Sequence, residues 1–160
     1  MSEAVMYYFA YGSNMNAERV NKRKMTFFDA CAGTLHHHEL RFNKRSVKFP
    51  GAASANVMAV KNAQTQGVLY QLSEADQILM MDPFEGYPIL YDRLALPVAT
   101  ATGDLTAWVY VANVDHIQEG LAPAQWYLNH LLAGEPYLTP SYFEALQATN
   151  CLPGSDTEPV

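Results

Sequence analysis

The sequence predicts an α+β domain in which a curled or closed mixed sheet, largely antiparallel, carries short helices on its outside. Three observations point there. About seven segments have the β-branched, aromatic or alternating character of strands, and most follow one another in pairs across turn-forming residues. Helical patterning is confined to four short stretches, so the order is not the strict alternation of a parallel sheet. The 160 residues are 49% hydrophobic and 16% charged, enough apolar material for one core and too much for a disordered chain.

The elements follow in chain order. "AVMYYFAY" (4–11) is almost wholly apolar and reads as a strand buried on both faces. "GSN" breaks it, and "MNAERVNKR" (15–23) reads as a short helix capped by Asn14 or Asn16. Residues 26–45 form two strands or one long bent strand. After the turn "FPGAA" (49–53), "SANVMAVK" (54–61) and "QGVLYQL" (66–72) read as a hairpin joined by "NAQT". "SEADQILMMD" (73–82) is a helix with Ser73 as N-cap and Pro83 as its stop. "YDRLALPVAT" (91–100) and "LTAWVYVAN" (105–113) pair across "ATGD". Two helices close the chain, "AQWYLNHLLAG" (124–134) with Gly134 as its C-cap and "TPSYFEALQAT" (139–149) with Pro140 in its first turn. The expected division is a single domain over 1–150 and a polar, frayed tail over 151–160.

A formal net charge of −6 argues against nucleic acid or an anionic membrane as partner, because both need a basic surface. Cys31 and Cys151 lie far apart and form no CxxC pair, so neither a disulfide framework nor a zinc module is implied. The N-terminus lacks the basic and apolar regions of a signal peptide, and no apolar run reaches transmembrane length. The expected place is the cytoplasm.

Two stretches carry the chemistry. In "FAYGSNM" (9–15) a buried strand ends in Tyr11-Gly12-Ser13-Asn14, and a helix begins at once. Gly12 allows close backbone approach or a positive φ. The N–H groups of Gly12, Ser13 and Asn14 then make a cradle for a carboxylate or a developing oxyanion. The same residues are also ordinary turn material. In "LMMDPFEGYP" (79–88), Glu85 stands among apolar and stiff neighbours, with no Lys or Arg within five positions. Partial burial near Phe84, Tyr87 and Tyr91 would raise its pKa and suit it to proton transfer. Read alone, it is a solvated loop carboxylate, as most glutamates are.

Three lesser signals remain. Tyr91, Tyr110 and Tyr127 sit in otherwise apolar elements, as core residues or as pocket donors. His36 and His38 would share one face of a strand, but no third ligand completes a metal site. "NKRK" (21–24) and "RFNKR" (41–45) read as solvated faces, though one arginine can meet an anionic substrate. Neither GxSxG, GxGxxG nor a Walker-type loop occurs.

Taken together, "YFAYGSN", "GVLYQLS" and "MDPFEGYP..Y" resemble the γ-glutamylcyclotransferase family, AIG2-like proteins and small microbial relatives included, in order and separation from about residue 7 to residue 147. The resemblance implies a small mixed β-barrel with flanking helices. It also implies cyclisation of a γ-glutamyl amine or peptide to 5-oxoproline, a cyclotransferase described as transferase or lyase. Carried over, Glu85 is the catalytic carboxylate. Tyr11, Gly12, Ser13 and Asn14 form the substrate loop, with Tyr8, Phe9 and Ala10 leading into it. Tyr91 matches the tyrosine after the Glu-Gly pair, and Tyr127 the late-helix tyrosine, with Trp126 as its alternative. The expected partner is a small γ-glutamyl molecule, with a homodimer as one allowed assembly. No cofactor and no metal are called for. The alternatives are a non-catalytic module binding a small carboxylate, or a related amide-cleaving enzyme using the same pocket.

Overall fold

The computed structural model describes residues 4–159. Five strands close into a barrel: β1 (Tyr7–Ala10), β2 (Phe27–Arg45), β3 (Ala53–Leu72), β4 (Tyr91–Thr100) and β5 (Gly103–Ala112), arranged in the order β1-β3-β2-β4-β5. β2–β3 and β4–β5 are long antiparallel ladders. The seams are thin. β1 meets β5 in parallel at Tyr8 and Trp108, and β2 meets β4 at Thr34 and Ala99. Four helices flank the barrel: α1 (Ala17–Lys22), α2 (Ile78–Glu85), α3 (Gln125–Leu132) and α4 (Pro140–Gln147).

The α+β barrel with outer helices is as expected, with five strands in place of about seven. Residues 26–45 form one strand. The expected hairpin across "NAQT" is absent, because 53–72 is also one strand. Its break in alternation is a bulge. The β2–β3 register slips between His36 and His38, where His37 and Asn62 both take positive φ (62° and 68°). The Asn62 amide donates to His37 Nδ1, so the bulge satisfies its own polar groups. The histidine triplet belongs to this bulge, and no group of three metal-ligating side chains occurs among the described residues.

Strand β1 is covered on both faces, as its composition requires. Phe9 and Tyr11 point into the barrel with Leu35, Val57, Leu69 and Val109. Tyr8 and Ala10 face the helices with Met15, Tyr70, Met81 and Leu128. Two glycines make room for Phe9. Gly33 on β2 faces Gly67 on β3, and a Cβ on Gly67 would run into the Ala10 carbonyl and the Phe9 ring. Gly67→Ala is therefore expected to cost about 1–3 kcal/mol by overpacking, read as a lowered Tm.

The helix ends differ from expectation in ways that matter for the site. Ser73 is not an N-cap; its hydroxyl bonds that of Thr26, and a 3-10 turn (Ala75–Gln77) precedes α2. Pro83 does not stop α2, which runs on through Glu85. The proline removes one interior helical N–H, to which the Leu79 carbonyl would otherwise bond, without ending the helix. The stop is Gly86, left-handed at φ 70°. Tyr87 N–H donates to the Asp82 carbonyl and Gly86 N–H to that of Pro83. The C-cap of α3 is Ala133 rather than Gly134. The tail is not frayed: Trp126 and Gln125 N–H groups donate to Ser155, and Leu152 bridges Ala124.

Candidate active site

The site lies where β1 gives way to Gly12. A Cβ there would lie 3.2 Å from both Ala55 Cβ and the Tyr127 hydroxyl, so the glycine serves close approach, with φ at −114°. Ser13–Met15 forms a 3-10 turn, and Asn16 then caps α1 by accepting from the Glu18 amide. Among the described residues, the amides of Gly12, Ser13 and Asn14 and the Ser13 hydroxyl donate to no other group. They border a cavity of about 460 Å³, a size suited to a small ligand.

Asn14 ties this loop to Glu85. Its side-chain oxygen accepts from Arg23 Nη1 at 3.2 Å, which directs its amide nitrogen toward Glu85 Oε1 at 3.0 Å and the Tyr8 hydroxyl at 2.9 Å. Tyr70 fixes the backbone by donating to the Asn14 carbonyl. Glu85 is therefore the last residue of a helix, held in the cavity wall with its side chain 17% exposed, and not a loop carboxylate in water. Burial raises its pKa. Arg23, with Nη1 3.7 Å away, then Arg19 and Lys44, and the Asn14 hydrogen bond hold back that rise. The cation absent from Glu85's sequence neighbourhood comes from α1 and the residue that ends it.

Asp82 explains why helix α2 presents Glu85 here. Its carboxylate accepts from Arg93 Nε and Nη2 at 2.9 and 3.0 Å and from the Tyr110 hydroxyl at 2.6 Å. The Arg93 guanidinium packs against Tyr87 and Trp108. One carboxylate thus anchors the helix to β4 and β5, and the next, three residues on, faces the cavity.

The tyrosines divide by where their protons go. Tyr11 donates to the Tyr110 carbonyl and Tyr91 to the Ala55 carbonyl. Tyr127 accepts from the Ala55 amide at 2.9 Å, and Tyr8 accepts from Asn14. Among the described residues neither Tyr8 nor Tyr127 has an acceptor for its own proton, so both can donate to a ligand. Burial raises the pKa of all four phenols and keeps them protonated. Tyr8, Tyr11, Gly12, Ser13, Asn14, Glu85, Tyr91 and Tyr127 all line the cavity, as does Trp126. Phe9 and Ala10 do not; they are core residues behind it.

Sequence reasoning missed Arg23 and Lys44. Both lie in basic clusters read as solvated faces, yet both line the cavity, and Lys44 is only 5% exposed. Their one signal was position, each within a few residues of an apolar element. Arg19 and Glu158 at the cavity rim, ion-paired at 3.1 Å, carried no signal at all.

The sequence model of the γ-glutamyl cyclotransferase, AIG2-like family matches residues 8–128, a span holding the Tyr11–Asn14 loop, Glu85, Tyr91 and Tyr127. The chain belongs to that family. It is thereby a γ-glutamyl cyclotransferase-type enzyme in the general sense. It resembles a solved γ-glutamyl cyclotransferase at 22% identity and a TM-score of 0.78, covering 92% of this chain and 89% of that one. An uncharacterised human protein is similar at 25% identity and a TM-score of 0.79, with 94% and 91% covered. A yeast γ-glutamyl cyclotransferase specific to glutathione shares the fold at 12% identity and a TM-score of 0.63, with 90% and 94% covered. No curated protein sequence matches the chain. Among the described residues no helix is long and apolar enough to cross a membrane.

Proposed function

We propose that this cyclotransferase converts a γ-glutamyl amine or peptide to 5-oxoproline and the free amine, with Glu85 as general acid and base. The observation that carries this reading is the Asn14 bridge, which sets Glu85 beside the loop whose unused amides suit a carboxylate. The substrate's α-amine attacks its own γ-carbonyl. A new C–N bond closes the five-membered ring and the old amide C–N bond breaks. Protons leave the attacking nitrogen and reach the departing one, and a single carboxylate can carry them in turn. The loop amides would grip the α-carboxylate and hold the chain bent, which is where intramolecular attack gains its rate. The spare protons of Tyr8 and Tyr127 suit the oxyanion formed on the γ-carbonyl. The scheme requires no metal, nucleotide or covalent enzyme intermediate.

A non-catalytic carboxylate binder would have no use for a half-dried carboxylate of raised pKa in its wall. The test is product identity. Incubation with γ-glutamyl amides should yield 5-oxoproline and amine in equal amounts. Free glutamate in place of 5-oxoproline would mean hydrolysis and would sink the cyclisation scheme.

A further inference from the structure

Among the described residues four basic side chains border the cavity, of which two are held by carboxylates and one is exposed to solvent. Arg23 is held by Asn14 and Glu85, Arg19 by Glu158, and Lys48 is exposed. Lys44 is different. It lies near the end of β2, paired in register with Ser54, and its side chain is buried in the cavity wall. Its Nζ stands 5.5 Å from the centre of the Tyr91 ring. Among the described residues it has neither an ion-pair partner nor a hydrogen-bond acceptor. Its stem is buried while the ammonium faces the cavity with no protein anion against it, so an anion entering the cavity would meet it there. Desolvation lowers its pKa, while Glu85 raises it.

We infer that Lys44 receives a carboxylate carried by the amine that leaves, and so selects γ-glutamyl amides of amino acids or peptides over those of neutral or cationic amines. The inference rests on the proposed cyclisation. The charge count supports it. Glu85 is matched by Arg23, and the glutamyl α-carboxylate has the loop amides. Lys48 stands in solvent at the cavity's edge, so Lys44 is the cation left over in the buried wall, and the remainder of the substrate supplies its negative charge. Lys44 also enters from the β2–β3 wall with Ser54 and Ala55, and not from the Gly12–Asn14 loop. A cationic amine would meet that charge directly and be rejected.

The experiment compares γ-glutamylalanine with γ-glutamylalaninamide, which differ only in the terminal carboxylate, by 5-oxoproline formation at neutral pH. Wild-type enzyme is expected to favour the acid by about 10–100-fold in kcat/KM, the range of one charge-assisted hydrogen bond. In Lys44→Met the ratio should fall toward one, and in Lys44→Arg the preference for the acid should persist. Because the readout is a ratio, a general loss of activity in either variant does not disturb it. A wild-type ratio near one, or a ratio unchanged in Lys44→Met, overturns the inference while leaving the cyclisation intact. The second of these outcomes would place Lys44 on the glutamyl half. Failure of the wild-type enzyme to convert either compound would overturn the cyclisation reading itself.

Discussion

Glu85→Gln is expected to lower kcat/KM for any γ-glutamyl amide about 10²–10⁴-fold, the usual worth of a positioned acid–base group. Glutamine keeps the length of the side chain and can still accept from Asn14, so the loop and the cavity should persist. What it cannot do is carry a proton. The loss should therefore fall on kcat, with KM changed little. A stability scan against pH separates chemistry from folding. Burial raises the folded-state pKa of Glu85. The folded chain thus holds this proton more tightly than the unfolded chain does. Its contribution to stability is present in full below the ordinary carboxylate range and is lost as pH rises through the raised value. The Gln variant lacks that slope. Full turnover by Glu85→Gln would remove Glu85 from the reaction.

Asp82→Ala is expected to be the most destabilising single change near the site. The Asp82 and Arg93 side chains are 12% and 10% exposed, so removing the carboxylate strands a guanidinium between Tyr87 and Trp108. It also leaves the Tyr110 hydroxyl without its acceptor. Breaking one side of such a pair costs about 3–5 kcal/mol, or a Tm drop of about 10 °C in a domain of this size. Activity should fall too, because Asp82 fixes the helix whose end is Glu85. The double variant Asp82→Ala/Arg93→Met should recover part of the stability, since no unpaired charge remains. A loss below about 1 kcal/mol in Asp82→Ala would mean that the pair does not anchor α2.

How much of this was legible in the sequence depended on whether the signal was local. The β4–β5 hairpin was readable because its turn residues sit between two alternating runs. Strand β3 was not, because the residues opposite His37 that form its bulge have the composition of a hairpin loop. Pro83 misled for a related reason. A proline removes one helical hydrogen bond without by itself ending a helix already begun, whereas Gly86 ends it by its left-handed backbone. In the site, the Tyr11–Asn14 loop and Glu85 were visible as motifs. Their joining through Asn14 was not, since it depends on Arg23 orienting an amide. Lys44 was hidden because a charged residue at a strand end looks solvated until the neighbouring wall is in place.

The pH dependence of kcat/KM tests the central claim, that Glu85 is the proton carrier in a partly dried pocket, most directly. The rate is expected to rise with pH through one acid-side pKa above the ordinary carboxylate range. The same midpoint should appear in a ¹³C NMR titration of the Glu85 carboxyl in the free enzyme. A Glu85 that titrates at the ordinary carboxylate value, or an acid limb that does not coincide with its titration, would contradict it.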